Sequence, residues 1–194
     1  MKTDEISDEQ AERAVKSRVD EFFHVRSVAE AAACFFSLSQ TRHHQLIHSL
    51  VEKTLEKKAA DVDLTASLFQ HLVKENIVPL DIFLKGFTPV IEQLDDTSID
   101  VRFAYEFTGK LLKASGLAEK EVAELAQKID TEMLNQAAKR LLDGFKSAAL
   151  QPLMPLITTA LFLQPLWALL YVLPLLLLLL LTLLINAVDT FHFF

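Results

Sequence analysis

The sequence predicts an all-α fold: a HEAT-like stack of antiparallel helical hairpins, about seven helices in all, followed by a hydrophobic C-terminal helix. Three observations carry this expectation. Apolar residues recur at three- and four-residue steps up to about Leu142, no run alternates apolar and polar residues as a half-buried strand would, and charge stops abruptly at Lys146. Beyond Lys146, 42 consecutive positions up to Asp189 carry no charged residue. The chain therefore reads as two materials, a helical domain over residues 1–146 and a hydrophobic tail over residues 147–194.

The N-terminal six residues are polar and frayed. Ser7 with Gln10 forms a capping box, and Ala11, Ala14, Val15, Val19, Phe22 and Phe23 make the stripe of a first helix. His24 to Arg26 is a tight connection to a second helix, which starts at Ser27 and carries Val28, Ala31, Ala32, Phe35 and Phe36. A third helix over residues 42–57 packs through Leu46, Ile47, Leu50, Val51 and Leu55. A fourth spans about Val62 to Glu75, and Asn76 closes it in the left-handed conformation before Pro79 opens the next.

The fifth helix buries Phe83, Leu84, Phe87, Val90, Ile91 and Leu94 along a stripe that begins at Leu80, and ends in Asp95 and Asp96. Carboxylates in a last turn face the negative end of the helix macrodipole, at a cost of about 0.3–1 kcal/mol each, so stability alone does not select them. After a short turn, Asp100 is placed to cap a sixth helix that runs to about Ser115 and closes at Gly116, with Leu117 just beyond. A seventh helix, about Ala118 to Leu142, turns Val122, Leu125, Ala126, Ile129, Met133, Ala137 and Leu141 inward. The result is a helix-to-helix corner bearing Asp95, Asp96 and Asp100, with Glu92 one turn back. These four acids are the candidate partner-binding residues.

Composition narrows the chemistry. The 194 residues carry a formal charge of −7, almost all of it in the helical domain, which repels phosphate backbones and favours a basic protein partner over direct nucleic-acid binding. Cys34 is the only cysteine, so no intrachain disulfide forms, in keeping with a reducing compartment. With 4 glycines and no Gly-rich phosphate loop the chain offers no means of nucleotide hydrolysis, and no Ser/His/Asp or Cys/His constellation stands at a recognisable spacing. It reads as a non-enzyme without cofactors. His44 and His48 share a helix face at zinc-ligand spacing, but Gln45 occupies the position where a metalloprotease helix needs Glu, so His43, His44 and His48 read as surface histidines and not as a metal site.

Leu166 to Val188 is 23 residues without charge, including seven consecutive leucines from Leu175 to Leu181. At about 1.5 Å per residue this spans a bilayer core of about 30 Å. Trp167 and Tyr171 sit near one end, and Lys139, Arg140 and Lys146 precede it, which predicts a tail-anchored membrane helix at about residues 166–188 with the helical domain in the cytosol.

The corner also carries a resemblance. Gly86-Phe87, then Ile91-Glu92-Gln93-Leu94-Asp95-Asp96, three residues, and Asp100-Val101 resembles the corner of the MA-three (also called MI) domain of translation initiation factor 4G and of the programmed cell death 4 tumour suppressor. The stretches from Asp20 to Ala31 and from Leu72 to Val78 are similar to the opening of that domain and to the link between its paired helices, so the resemblance covers about residues 14–142. It implies a cytoplasmic protein-interaction module that binds a DEAD-box RNA helicase of the initiation factor 4A type and modulates cap-dependent translation initiation, with Asp96 and Asp100 meeting basic residues of the helicase. One position departs from the pattern: Arg102 stands where the family usually has Pro, which loosens the corner and places a cation beside the acids. The other reading, from the tail, is a tail-anchored membrane adaptor whose helical domain is a generic scaffold.

Overall fold

The structure, a computed structural model, describes residues 8–150, and these lie within one compact unit, Met1–Leu153. Among the described residues there are nine α-helices and no strand: α1 (Asp8–Val25), α2 (Val28–Ser37), α3 (His43–Leu55), α4 (Ala59–Lys74), α5 (Leu80–Glu92), α6 (Leu94–Asp100), α7 (Ala104–Ala114), α8 (Glu119–Ala126) and α9 (Leu134–Ser147), with a single 3-10 turn over Gln40–Arg42. The expected membrane helix at about 166–188 and Ser7 of the capping box lie outside the described residues. Among the described residues no helix is long and apolar enough to cross a membrane.

The helices stack as hairpins in two layers. Helices α1, α3, α5 and α8 pack in succession on one side, and α2, α4, α7 and α9 on the other. The core lies between the layers. Phe69 of α4 meets Phe83 and Phe87 of α5 edge-on, with ring centroids 5.2 and 6.0 Å apart, and Ile47, Val51, Leu68, Leu72 and Ile91 close the space around them.

The joints follow local chemistry. Arg26 ends α1 at φ 59°, and its N–H donates to the Phe22 carbonyl, while the Ser27 hydroxyl accepts from the Glu30 N–H to start α2. Asn76 at φ 52° closes α4, Pro79 caps α5, and Gly116 at φ 74° closes α7 ahead of buried Leu117. Where α7 crosses α9 the two backbones touch: a Cβ added at Gly144 would lie 2.7 Å from the Tyr105 carbonyl oxygen, and one at Gly109 would collide with the backbone of Gly144 and Phe145.

The seven-helix expectation differs from the structure in two places. The seventh helix is interrupted between Ala126 and Leu134, because the Asp130 N–H donates to the Glu92 carbonyl at 3.0 Å and pulls this segment onto the end of α5. Met133, expected inside, is consequently 68% exposed, whereas Ile129 keeps its buried place. The second difference is α6, which turns the expected corner into a helix of its own. Two apolar residues of the expected stripes also face outward, Phe36 at 75% exposure and Leu80 at 39%. His43, expected at the surface, is instead buried: its Nε2 lies 2.8 Å from the Phe35 carbonyl and 3.2 Å from that of Leu38. Both partners are acceptors, so Nε2 carries the hydrogen and fastens the end of α2 to α3.

Candidate functional site: the acidic corner

The chain between α5 and α7 breaks once, at Gln93. Its N–H closes α5 onto the Pro89 carbonyl at 3.4 Å, and its carbonyl accepts from the Thr97 N–H at 3.0 Å and the Thr97 hydroxyl at 2.9 Å to open α6. Fully buried Leu94 plugs the underside of the break. Asp95 and Asp96 thus occupy the first turn of α6 and not the last turn of α5. The expected penalty is reversed there, since a first turn favours negative charge. Asp100 is likewise not a cap: it is the last residue of α6, while Phe103 precedes α7 and makes no side-chain cap.

The four acids separate into two kinds. Asp95 is half-buried and points inward, where one carboxylate oxygen accepts from the Tyr105 hydroxyl at 2.7 Å and the other from the Thr131 hydroxyl at 2.6 Å. The Thr131 hydroxyl, then the Tyr105 hydroxyl, and more weakly the Arg140 charge, hold the Asp95 carboxyl below the usual carboxylate range. Burial, followed by the same hydrogen bond and the Asp95 charge, pushes the Tyr105 phenol above its ordinary value. The Arg140 guanidinium lies 4.0 Å from the Tyr105 ring centroid and covers the outer face of the clamp. One carboxylate therefore joins α6, α7, the α8–α9 connection and, through the tyrosine ring, α9.

Asp96, Asp100 and Glu92 are exposed, and among the described residues their side chains enter no hydrogen bond or ion pair. Asp96 and Asp100 stand four residues apart on α6 and share one of its faces, with Ile99 beside them at 81% exposure. Arg102, expected to neutralise them, forms no ion pair among the described residues: its guanidinium carbon lies 5.3 Å from the Phe103 ring centroid. The negative charge of the α6 face is left for a partner. No group of three or more His, Cys, Asp or Glu converges as a metal site among the described residues.

Sequence reasoning missed Tyr105, Thr131 and Arg140. The available signal was Tyr105 itself, since a phenol at an inward position needs a polar partner and a carboxylate ten residues earlier supplies one.

The family model of the MA3 domain matches residues 11–118, more than half of the chain. Eukaryotic translation initiation factor 4 gamma 3 of Mus musculus is 33% identical to the chain over 122 residues, 60% of this chain and 8% of that protein. The Homo sapiens protein of that name is 32% identical over the same length and the same shares. Eukaryotic translation initiation factor 4G of Arabidopsis thaliana is 31% identical over 113 residues, 57% of this chain and 6% of that protein. The chain thus spans less than a tenth of the length of these curated relatives. With its hairpin stack and its acidic corner, the chain belongs to the MA3 domain family.

Proposed function

We propose that the helical domain is a protein-interaction module of translation initiation that docks a DEAD-box helicase of the initiation factor 4A type through Asp96 and Asp100. The observation that carries this reading is the exposed, unpaired acid pair one helical turn apart on α6. A rigid pair at that spacing suits two basic side chains, and arginine, which can bind a carboxylate through two parallel hydrogen bonds, suits it best. Glu92 on the neighbouring helix end adds to the field that steers a basic surface toward the corner. Asp95 takes no part in contact; its carboxylate is spent inside the clamp and sets the direction in which α6 points. The module works by binding and not by catalysis.

The test is a binding titration of the full chain with the helicase at low and raised salt, repeated with Asp96→Ala/Asp100→Ala. Loss of binding in the double variant, with weakening of the wild-type complex as salt rises, supports the reading. Unchanged affinity in the double variant refutes it.

The uncharged tail favours a second, compatible reading in which residues 166–188 anchor the module to a membrane with the helical domain in the cytosol. Full-length chain that stays with the membrane pellet after alkaline extraction supports it, and release to the supernatant removes it.

A further inference from the structure

Beside the acid pair lies an open groove of about 620 Å³, bounded by the turn between α3 and α4 on one side and by the start of α7 on the other. Its apolar wall is made by Phe103 and Phe107, whose rings lie 5.8 Å apart and inclined by 37°, and Phe103 is 44% exposed. An exposed aromatic pair costs hydration that nothing in the described fold recovers.

The charges around this wall are segregated by sign. Lys57 and Lys58 line the groove from the α3–α4 turn, Asp100 and Glu106 line it from the end of α6 and from α7, and Arg102 lies over the Phe103 ring. Among the described residues Lys58, Asp100 and Glu106 form no ion pair, and Lys57 is engaged only with the Phe23 ring, 5.5 Å away. A uniformly anionic ligand would be repelled by Asp100 and Glu106, and a uniformly basic peptide by Lys57 and Lys58. A segment carrying both signs around an apolar centre satisfies all of them.

We infer that this groove seats an amphipathic segment of the same partner that meets the acid pair, with one large apolar side chain against Phe103 and Phe107, a basic residue toward Asp100 and Glu106, and an acidic residue toward Lys57 and Lys58. The inference rests on the helicase reading above and deepens it, because Asp100 belongs to both surfaces and a partner held at Asp96 necessarily lies at the mouth of the groove. The acid pair supplies attraction from a distance, while the aromatic wall supplies the short-range contact that slows departure.

The experiment compares the full chain with Phe103→Ala, Lys58→Glu and Asp96→Ala/Asp100→Ala in titrations against an initiation factor 4A-type helicase at two salt concentrations. Phe103→Ala is expected to weaken binding about tenfold with the salt dependence unchanged, through faster dissociation. Lys58→Glu is expected to weaken it about threefold or more, although it makes the chain more acidic and would strengthen an interface led by net charge alone. Both side chains are partly or fully exposed, and an unchanged melting midpoint certifies the fold. If Phe103→Ala and Lys58→Glu bind as the wild type does while the acid-pair variant loses binding, the groove inference fails and the corner reading stands. If the acid-pair variant also binds normally, both fail.

Discussion

The Tyr105 hydroxyl donates to the Asp95 carboxylate at 2.7 Å, joining the first turn of α6 to the first turn of α7 across ten residues of chain. This bond separates the two neighbouring aspartates in role: Asp95 is committed to the fold and Asp96 is left to solvent. Asp95→Asn and Tyr105→Phe are each expected to cost about 1–2 kcal/mol, since a hydrogen bond to a charged group is at stake. In a double-mutant cycle read by urea unfolding, the pair should show a coupling of about 1 kcal/mol. Strict additivity would show the bond to be energetically idle.

The same carboxylate makes stability depend on pH. Because its folded-state affinity for a proton lies below that of the unfolded chain, its contribution is present above the ordinary carboxylate value of about 4 and is lost as pH falls through the depressed folded value. Urea midpoints measured downward from neutral pH should therefore drop more steeply for the wild type than for Asp95→Asn. At the other end Tyr105 has its proton affinity raised, so its contribution holds below about pH 10 and is lost above it. Tyr105→Phe should flatten that alkaline limb.

Gly144→Ala tests the contact between α7 and α9. Alanine is the better helix former by about 1 kcal/mol, yet its methyl group would stand 2.7 Å from the Tyr105 carbonyl oxygen. The expected net result is a loss of about 1–3 kcal/mol, measured as a fall in the urea midpoint. A stabilised variant would mean that α9 moves away freely.

Arg102→Pro should be tolerated. Val101 is already extended, at φ −111° and ψ 98°, as a residue before proline prefers, and the Arg102 N–H donates no hydrogen bond among the described residues. Stability is expected to stay level or to rise by about 0.4–1 kcal/mol. Removing the cation beside the acid pair should raise the association rate with a basic helicase surface in stopped-flow measurements at low salt. A slower association would assign Arg102 a favourable contact of its own.

Most of the stack was legible because its signals are local: Ser27, Asn76, Pro79 and Gly116 punctuate the chain, and the stripes between them have one period. The acids were found for a reason that did not survive. A helix that breaks for one residue and resumes leaves no mark on periodicity, so Gln93 was invisible, and the dipole argument was applied to the wrong end of the wrong helix. Burial of Leu94 and the reach of Thr131 to Asp95 across 36 positions decide that geometry, and neither can be read from neighbours in sequence. His43 escaped for the same reason: its acceptors are carbonyls freed by the end of α2, which no residue pattern announces.

Tyr105 is gripped at both ends, its hydroxyl by α6 and its main-chain oxygen by the bare flank of Gly144. Load applied to the corner by a docked partner passes straight into the crossing of two helices and finds no slack loop to stretch. The corner therefore behaves as a stiff bracket, already in shape before anything arrives, and association surrenders little freedom on this side of the complex.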